Sequence, residues 1–118
     1  MEQRMVAGGD AARGARHIAA FGCGSCHAIP GIPGAHGRVG PPLDRFAERM
    51  YIAGALRNEA ASLVRWIRFP QSVQPGTVMP DLGVSEAQAR DIAAYLYTLG
   101  EGGLGPPHPI PAKVLPAH

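Results

Sequence analysis

The chain has 118 residues, of which 17% are charged, and its formal net charge is +2. This length allows one domain with one hydrophobic core. The weak charge and the lack of a basic stripe argue against nucleic acid as a partner, and no run approaches the ~20 apolar residues of a transmembrane segment.

The N-terminal third begins with a predicted extension at residues 1–9 and a helix over residues 11–21. Asp10 is a suitable N-cap for this helix, because its carboxylate can accept a bond from a free backbone N–H. Gly14 and Ile18 fall on one face with Phe21. A glycine within a helix costs ~1 kcal/mol relative to alanine, so Gly14 indicates close approach of another backbone.

The next segment, Cys23-Gly-Ser-Cys26-His27, contains both cysteines of the chain. Two thiols at this spacing can each form a thioether with a vinyl group of one haem, and the adjacent imidazole can then coordinate the iron. A flat, apolar porphyrin would also supply core volume to a chain with 16 glycines, 12 prolines and 6% aromatic residues. The motif therefore predicts one covalent haem c, attached through Cys23 and Cys26, with His27 as an axial ligand.

Other uses of a Cys-x-x-Cys pair are less well supported. A thioredoxin-like redox site requires strands that alternate with helices, and the sequence contains no convincing strand-like run. A zinc ribbon requires a second pair of ligands, and the chain has no further cysteine. A structural disulfide gives no reason for the histidine that follows.

The middle of the chain is rich in turn-forming residues. Residues 28–42 predict an irregular loop, and residues 44–50 predict a short helix. Asn58 is the expected N-cap of a helix over about residues 59–69, which Pro70 would end. Its inward-facing side chains would be Leu63, Trp66 and Ile67, and its outward-facing ones Arg65 and Arg68.

The loop at residues 71–84 contains the candidate for a second iron ligand. A haem with one open face binds gases or peroxide, whereas a haem with both faces filled mainly transfers electrons. Pro75-Gly76 suits the centre of a type II turn, and the loop could present the thioether of Met79 to the iron. This neutral, soft ligand favours Fe(II) and raises the reduction potential. The residues alone leave open a packing role for Met79, and Met50 is interpreted as core.

The C-terminal part begins with a capping box, Ser85 to Gln88, which predicts a helix to Leu99 with Gly100 as its stop. Ala89, Ile92, Ala93, Leu96 and Leu99 would form its apolar face. From residue 101 the chain is rich in proline and glycine. We interpret residues 10–100 as the domain and residues 101–118 as a tail or linker.

The order of these motifs resembles that of class I c-type cytochromes over about residues 8–100. The family pattern is a haem motif, then Gly-Pro-x-Leu, a Pro-Gly-Thr-x-Met loop and a helix with Ala-Tyr-Leu. The matching segments here are Cys23 to His27, Gly40 to Leu43, Pro75 to Met79, and Ala94 to Leu96. The resemblance implies an all-α fold in which three main helices, short helices and loops surround one covalent haem, with Met79 as the sixth ligand.

The resemblance also implies roles for residues of the haem pocket. The Pro41 carbonyl would accept the Nδ1–H of His27 and fix the ring. Arg49 and Tyr51 would approach a haem propionate, and Trp66 would line the methionine side, where its indole N–H requires a partner. Further pocket residues would be Gly40, Leu43, Leu63, Ile67 and Pro80.

Two features depart from the family pattern. Gly14, which with Tyr95 resembles the contact between the first and last helices, lies nine residues before Cys23, one more than in the mitochondrial protein. The lysine ring of that protein is absent, so strong charge steering is not expected. Arg13, Arg16, Arg65 and Arg68 are the candidates for a local patch.

Four histidines could in principle replace Met79, although an exposed or locally bonded role is favoured for each: His17, His36, His108 and His118.

The sequence therefore predicts a one-electron carrier of a respiratory or periplasmic chain that is not itself an enzyme. Its partners would be redox proteins, such as a terminal oxidase or a dehydrogenase. The alternatives are an electron-input domain or subunit of such an enzyme, and a ligand-binding haem protein, sensor or peroxidase in which Met79 leaves the iron. The first 22 residues lack the apolar segment of a secretory signal. Because the resemblance implies haem attachment outside the cytoplasmic membrane, we expect a periplasmic or outer-face location with the signal or parent chain removed.

Overall fold

Helices dominate the computed structural model, which describes residues 6–53 and 56–100. In these ranges the α-helices are α1 (Ala11–Phe21), α2 (Ala60–Arg68), α3 (Pro70–Val73) and α4 (Glu86–Leu96). Cys23–Ser25 and Phe46–Glu48 form 3₁₀ turns, and β1 (Tyr51–Ile52) pairs antiparallel with β2 (Leu56–Arg57). No helix among the described residues is long and apolar enough to cross a membrane. The predicted tail at residues 101–118 lies outside the described residues.

The predicted boundaries of α1 are confirmed. The helix spans Ala11–Phe21, and the Asp10 side chain accepts a hydrogen bond from the backbone N–H of Arg13. This bond satisfies one of the N–H groups that have no partner within the helix. Gly14 and Ile18 are its buried residues, as the apolar face predicted.

The predicted capping box of α4 is confirmed as well. Ser85 accepts a hydrogen bond from the backbone N–H of Gln88, and the Gln88 side chain accepts one from the backbone N–H of Ser85. The predicted C-terminus is wrong by three residues, because α4 ends at Leu96. The N–H groups of Thr98 and Leu99 bond three residues back instead of four, which tightens the chain into a final turn.

The backbones of α1 and α4 meet at Gly14. A Cβ atom placed on this glycine would lie 2.0 Å from the carbonyl oxygen of Asp91 and 3.1 Å from the Cα of Ile92. Glycine is therefore required for the close approach of the two helices. One turn beyond Asp91, the Tyr95 hydroxyl donates to the carbonyl oxygen of Pro30 at 2.6 Å, and burial raises the pKa of Tyr95 to about 12.

Asp91 is a buried carboxylate at this crossing that the sequence did not reveal. Its side chain accepts hydrogen bonds from the Asp10 N–H at 2.9 Å and from Nε of Arg13 at 3.1 Å, and Nε2 of His17 lies 3.2 Å from it. Burial is the largest single effect and favours the protonated acid, but these bonds and the charge of Arg13 together lower the pKa of Asp91. The carboxylate therefore ties the start of α1 to α4.

The expected role of Asn58 as the cap of α2 is wrong. Glu59 occupies the N-cap position without a side-chain bond, and α2 spans Ala60–Arg68. The buried Asn58 amide donates to the carbonyl oxygens of Phe46 and Arg49, and its oxygen accepts the Tyr97 hydroxyl at 2.8 Å. Asn58 thus connects the 3₁₀ turn to the end of α4. This use of its hydrogen-bonding groups takes the side chain away from the helix terminus.

The segment around residue 50 differs from the expectation in two ways. The predicted short helix at 44–50 is only the 3₁₀ turn Phe46–Glu48, and the β1–β2 hairpin follows it. Each strand has two residues, which is too short for an alternating pattern to be recognised. The interpretation of Met50 as core is also wrong, since 71% of the residue is exposed while Ile52 is buried.

The boundary between α2 and the second predicted loop also differs. Pro70 was expected only to end the preceding helix, but it begins the one-turn helix α3. Proline is well tolerated at this position, because the first N–H of a helix has no partner within it.

Replacement of Gly14 by alanine should separate α1 from α4. In a free helix this change is favourable by ~1 kcal/mol, but the added Cβ would overlap the Asp91 carbonyl group. We expect a loss of about 3 kcal/mol in the free energy of unfolding, the upper end for overpacking. Urea unfolding measures it, with the exposed Ala19→Gly as the control for helix propensity. A Gly14→Ala protein as stable as the parent would contradict the close contact between Gly14 and the Asp91 carbonyl group.

Asp91→Asn should change how stability depends on pH. A lowered pKa in the folded state gives stability that is present above the unfolded value of ~3.9 and is lost as the pH falls through the folded pKa. We expect the variant to be about 2 kcal/mol less stable than the parent at pH 7, with the gap closing below about pH 4. Urea unfolding at several pH values measures this.

The control is Asp44→Asn, which removes an exposed carboxylate that has no hydrogen-bond partner among residues 6–53 and 56–100. An Asp91→Asn protein that follows the Asp44→Asn protein at every pH would contradict the role of Asp91.

Candidate haem-binding site

A cavity of about 610 Å³ lies between α1, α2, α4 and the loops that follow α1 and α3. Its volume is within the ~300–1,000 Å³ of small-molecule and cofactor sites, and apolar side chains form most of its wall. All thirteen site residues named from the sequence lie on this wall: Cys23, Cys26, His27, Gly40, Pro41, Leu43, Arg49, Tyr51, Leu63, Trp66, Ile67, Met79 and Pro80.

The cysteine motif reaches the cavity through a compact turn. Since α1 ends at Phe21, Cys23 begins a 3₁₀ turn almost at once. The backbone N–H groups of Cys26 and His27 both donate to the Cys23 carbonyl oxygen, at 3.1 Å each. Both thiols are partly buried and are not joined in a disulfide, and burial raises the pKa of the Cys23 thiol. The turn therefore places two thiols and an imidazole on one wall.

The imidazole of His27 has the hydrogen bond that was expected of it. Its Nδ1 lies 2.8 Å from the carbonyl oxygen of Pro41. A carbonyl oxygen can only accept, so Nδ1 carries the proton, and in the neutral ring Nε2 keeps a lone pair available for a metal. The bond fixes the ring orientation and makes the metal-binding nitrogen more basic.

Gly40 lies directly against the imidazole ring of His27. A Cβ atom on Gly40 would lie 2.2 Å from Cε1 and 2.7 Å from Nδ1 of His27. Its N–H donates to the Cys26 carbonyl oxygen at 2.7 Å, which holds the loop against the motif. Any side chain at position 40 would displace the imidazole, and this explains the glycine in the Gly-Pro-x-Leu segment.

Met79 lines the same cavity from the loop that follows α3. The expected turn is present, because the Thr77 N–H donates to the Gln74 carbonyl oxygen at 3.0 Å and Gly76 has a φ of 85°. This positive φ is the one that the third position of a type II turn requires. Met79 follows two residues after Thr77 and is partly buried.

The other methionine and histidine residues of the described ranges, Met50, His17 and His36, lie away from the cavity wall. Met50 is exposed, His17 bonds Asp91, and His36 is exposed in an isolated bridge with Ala28. His108 and His118 lie outside the described residues. Among residues 6–53 and 56–100, His27 and Met79 are thus the histidine and the methionine that line the cavity.

The remaining predicted pocket residues occupy its wall in different ways. The Arg49 guanidinium donates to the carbonyl oxygen of Pro42, and its carbon lies 5.4 Å from the centre of the Phe46 ring. Tyr51 is largely exposed. Trp66 is partly buried, and its indole N–H has no hydrogen-bond partner in the part of the chain that the structure describes. These positions allow polar contacts with a cofactor.

Several wall residues were missed by the sequence analysis, among them Phe46, Ile52, Val39, Ile92 and Leu96. Ile92 and Leu96 could have been found, because they share one predicted helical face with Ala89 and Ala93. Phe46, Ile52 and Val39 lie in a turn, a hairpin and a loop, where spacing gives no face to follow.

The residues of this cavity fit a haem. Imidazole nitrogen and thioether sulfur are the two donors that cytochromes c use on haem iron. The apolar walls suit a porphyrin, and the thiols of Cys23 and Cys26 lie beside the imidazole that would bind its iron. Gly40 leaves His27 the space that this orientation needs.

Comparison with known proteins agrees with this fit. The profile of the family described as "Cytochrome c" matches residues 11–100. The chain belongs to the cytochrome c family. Membership of this family makes it a haem-binding, electron-transfer domain.

Two curated relatives carry the same name, cytochrome c oxidase subunit 2. The protein of Alkalihalophilus pseudofirmus is 42% identical over 78 residues, covering 65% of this chain and 22% of the relative. The protein of Bacillus sp. strain PS3 is 35% identical over 81 residues, covering 65% of this chain and 23% of the relative. The chain thus spans less than a quarter of the length of these relatives.

We expect Met79→Ala to remove the thioether that would be the sixth ligand of the haem iron. We expect the far-red charge-transfer band of a methionine–Fe(III) pair to vanish and the reduced protein to bind carbon monoxide. The potential should fall by an amount on the order of 0.1 V, within the ~0.8 V that axial ligands span. Absorption spectra and a potentiometric titration measure these changes.

Met50→Ala is the matched control, because Met50 is 71% exposed and does not line the cavity. Loss of the far-red band in Met50→Ala, with the band retained in Met79→Ala, would show that the assignment of Met79 is wrong.

Proposed function

We propose that this domain is a one-electron carrier that holds one haem c through thioethers to Cys23 and Cys26, with His27 and Met79 as axial ligands. The haem supplies an iron that accepts and releases one electron. The observation that carries the proposal is that these four side chains lie on the wall of one apolar cavity. We also propose that three main helices, together with short helices and loops, surround this haem.

The contacts of the chain prepare His27 for this role, and the chemistry of Met79 suits it. The Pro41 carbonyl and the Gly40 backbone fix the His27 ring, so the nitrogen donor is oriented before the metal binds. The Met79 thioether favours Fe(II) and raises the reduction potential. A carrier that keeps both ligands in both oxidation states needs little rearrangement for each transfer.

A redox titration tests the proposal. We expect the purified holoprotein to accept one electron per haem and its reduced form to bind no carbon monoxide, since Met79 would fill the sixth position. The reduced spectrum and the titration curve give both values. Rapid carbon monoxide binding by the unmodified protein would instead support a ligand-binding or sensor haem protein.

A more specific role is favoured by the relatives. Both are named cytochrome c oxidase subunit 2, and each is matched over 65% of this chain. We propose that the domain passes electrons into a terminal oxidase, as part of a larger subunit or as its partner. Residues 10–100 would form the cytochrome domain, with residues 1–9 as an extension and residues 101–118 as a linker. Its place would be the outer face of the cytoplasmic membrane or the periplasm.

The charges of the described surface bear on how such a partner docks. Acidic side chains pair with Arg45, Arg57 and Arg90. Of the four arginines considered for a local patch, Arg13 is bound to Asp91, and Arg68 donates to a carbonyl oxygen, that of Val84. With a net charge of +2 before the two haem propionates are counted, long-range steering would be weak.

Electron transfer to the oxidase should therefore depend little on salt. The Debye length falls from ~30 Å at 0.01 M to ~10 Å at 0.1 M ionic strength, and this slows only encounters that complementary charges steer. We expect less than about a threefold loss of rate when membranes of the source organism oxidise the reduced protein across this range. Stopped-flow absorption measures the rate.

The control is the double variant Arg16→Gln, Arg65→Gln, which removes two exposed arginines without an acidic partner among the described residues. A steep loss of rate with salt in the parent, abolished in this variant, would contradict the prediction and show a local steering patch.

A further inference from the structure

Gln71, in the one-turn helix α3, is bound to the loop that carries Met79. Its side-chain Nε2 donates to the carbonyl oxygen of Thr77 at 2.6 Å and to that of Met79 at 2.8 Å. Its Oε1 accepts the backbone N–H of Gly76 at 3.3 Å. Both N–H bonds of the amide are thus used, and a single side chain contacts three residues of the loop.

The backbone of Gln71 adds a fourth connection. Its N–H donates to a carboxylate oxygen of Asp81 at 3.1 Å, just beyond Met79. The loop is therefore held to α3 on both sides of Met79 in the sequence. The side-chain bonds restrain residues 76–79, and the Asp81 bond restrains the chain that leaves them.

Apolar packing gives this loop little additional support. Pro75 and Gly76, which precede Met79 and do not line the cavity, are exposed. Within the loop, the Met79 N–H has only a long bond of 3.4 Å, to the Thr77 hydroxyl. The shorter of the two hydrogen bonds to the Met79 backbone is thus the one from the amide of Gln71.

We propose that Gln71 is a positioning residue for Met79, which rests on the proposed function of Met79 as the sixth iron ligand. A thioether is a neutral ligand that small molecules in solution can displace, and movement of the loop away from the iron would carry the thioether with it. The bonds of Gln71 oppose that movement, so they favour the Met79-bound state. Gln71 does not touch the iron and acts through the backbone of residues 76–79.

Gln71→Glu is the sharpest variant. It keeps the shape of the side chain and the oxygen that accepts from Gly76, but a carboxylate cannot donate to the carbonyl oxygens of Thr77 and Met79. Gln71→Ala removes all three side-chain bonds without adding charge. Ser72→Asp is the matched control, because it adds a negative charge at the next position of α3, where the exposed serine side chain has no bond among the described residues.

The probe is imidazole, titrated into the oxidised holoprotein, where it competes with Met79 for iron. With hydrogen bonds worth about 1 kcal/mol each, the loss of two should tighten apparent imidazole binding about tenfold to thirtyfold. The far-red methionine–Fe(III) band should also weaken in Gln71→Glu and Gln71→Ala. Ser72→Asp should match the parent in both measurements.

A double-mutant cycle separates positioning from a general loosening of the pocket. In a Met79→Ala background no thioether competes with imidazole, so Gln71→Glu should leave imidazole affinity unchanged. Tighter binding to the same degree in both backgrounds would overturn the proposal, as would parental affinity in both Gln71 variants.

The far-red band of the parent protein distinguishes a failure of Met79 ligation from a failure of the role of Gln71. A parent without the far-red band contradicts Met79 ligation itself, and with it this role of Gln71. If the parent shows the band and the Gln71 variants behave like the parent, only the role of Gln71 is contradicted.

Discussion

The rest of the structure depends on the contact between α1 and α4 at Gly14. Because Gly14 has no side chain, the backbone of α1 reaches the carbonyl group of Asp91, and the first and last helices of the described residues lie against each other. The same crossing places Ile18 from α1 and Ile92 from α4 on the wall of one cavity. The distance between α1 and α4 therefore sets the position of this part of the cavity wall. The turn that carries the two cysteines begins at the end of α1, so its position depends on the same contact.

Asp91 makes this crossing dependent on charge as well as on packing. A carboxylate that is 4% exposed is costly unless it is paired, and here the Asp10 N–H and the Arg13 guanidinium bind it directly. Removal of either donor would leave a buried charge with fewer partners. The bonds of Asp91 thus favour one particular arrangement of α1 against α4, and they also stabilise the folded domain.

The cofactor and the chain depend on each other. The cavity wall is apolar, and a protein interior is normally packed without voids of this size. On the proposed function, the porphyrin completes the core, and the thioethers of Cys23 and Cys26 keep it there. The Met79 loop is held to the rest of the wall by the polar bonds of Gln71.

Local signals in the sequence predicted much of this arrangement. The caps at Asp10 and Ser85 and the turn at Pro75-Gly76 depend on residues within a few positions of one another, so their patterns are complete in the sequence. Asn58 was assigned wrongly because its partners, at Phe46 and Tyr97, are distant in the chain. The same holds for Asp91, whose burial follows from α1, and for Gln71, whose bonds exist only once α3 and the loop are in place.

The most direct test of covalent haem attachment is the mass of the coloured protein after acid–acetone extraction. We expect the haem to stay with the polypeptide, and a proteolytic peptide containing residues 22–27 to carry the added mass of one haem on Cys23 and Cys26. Free haem in the organic layer, with both cysteines recovered unmodified in that peptide, would contradict it.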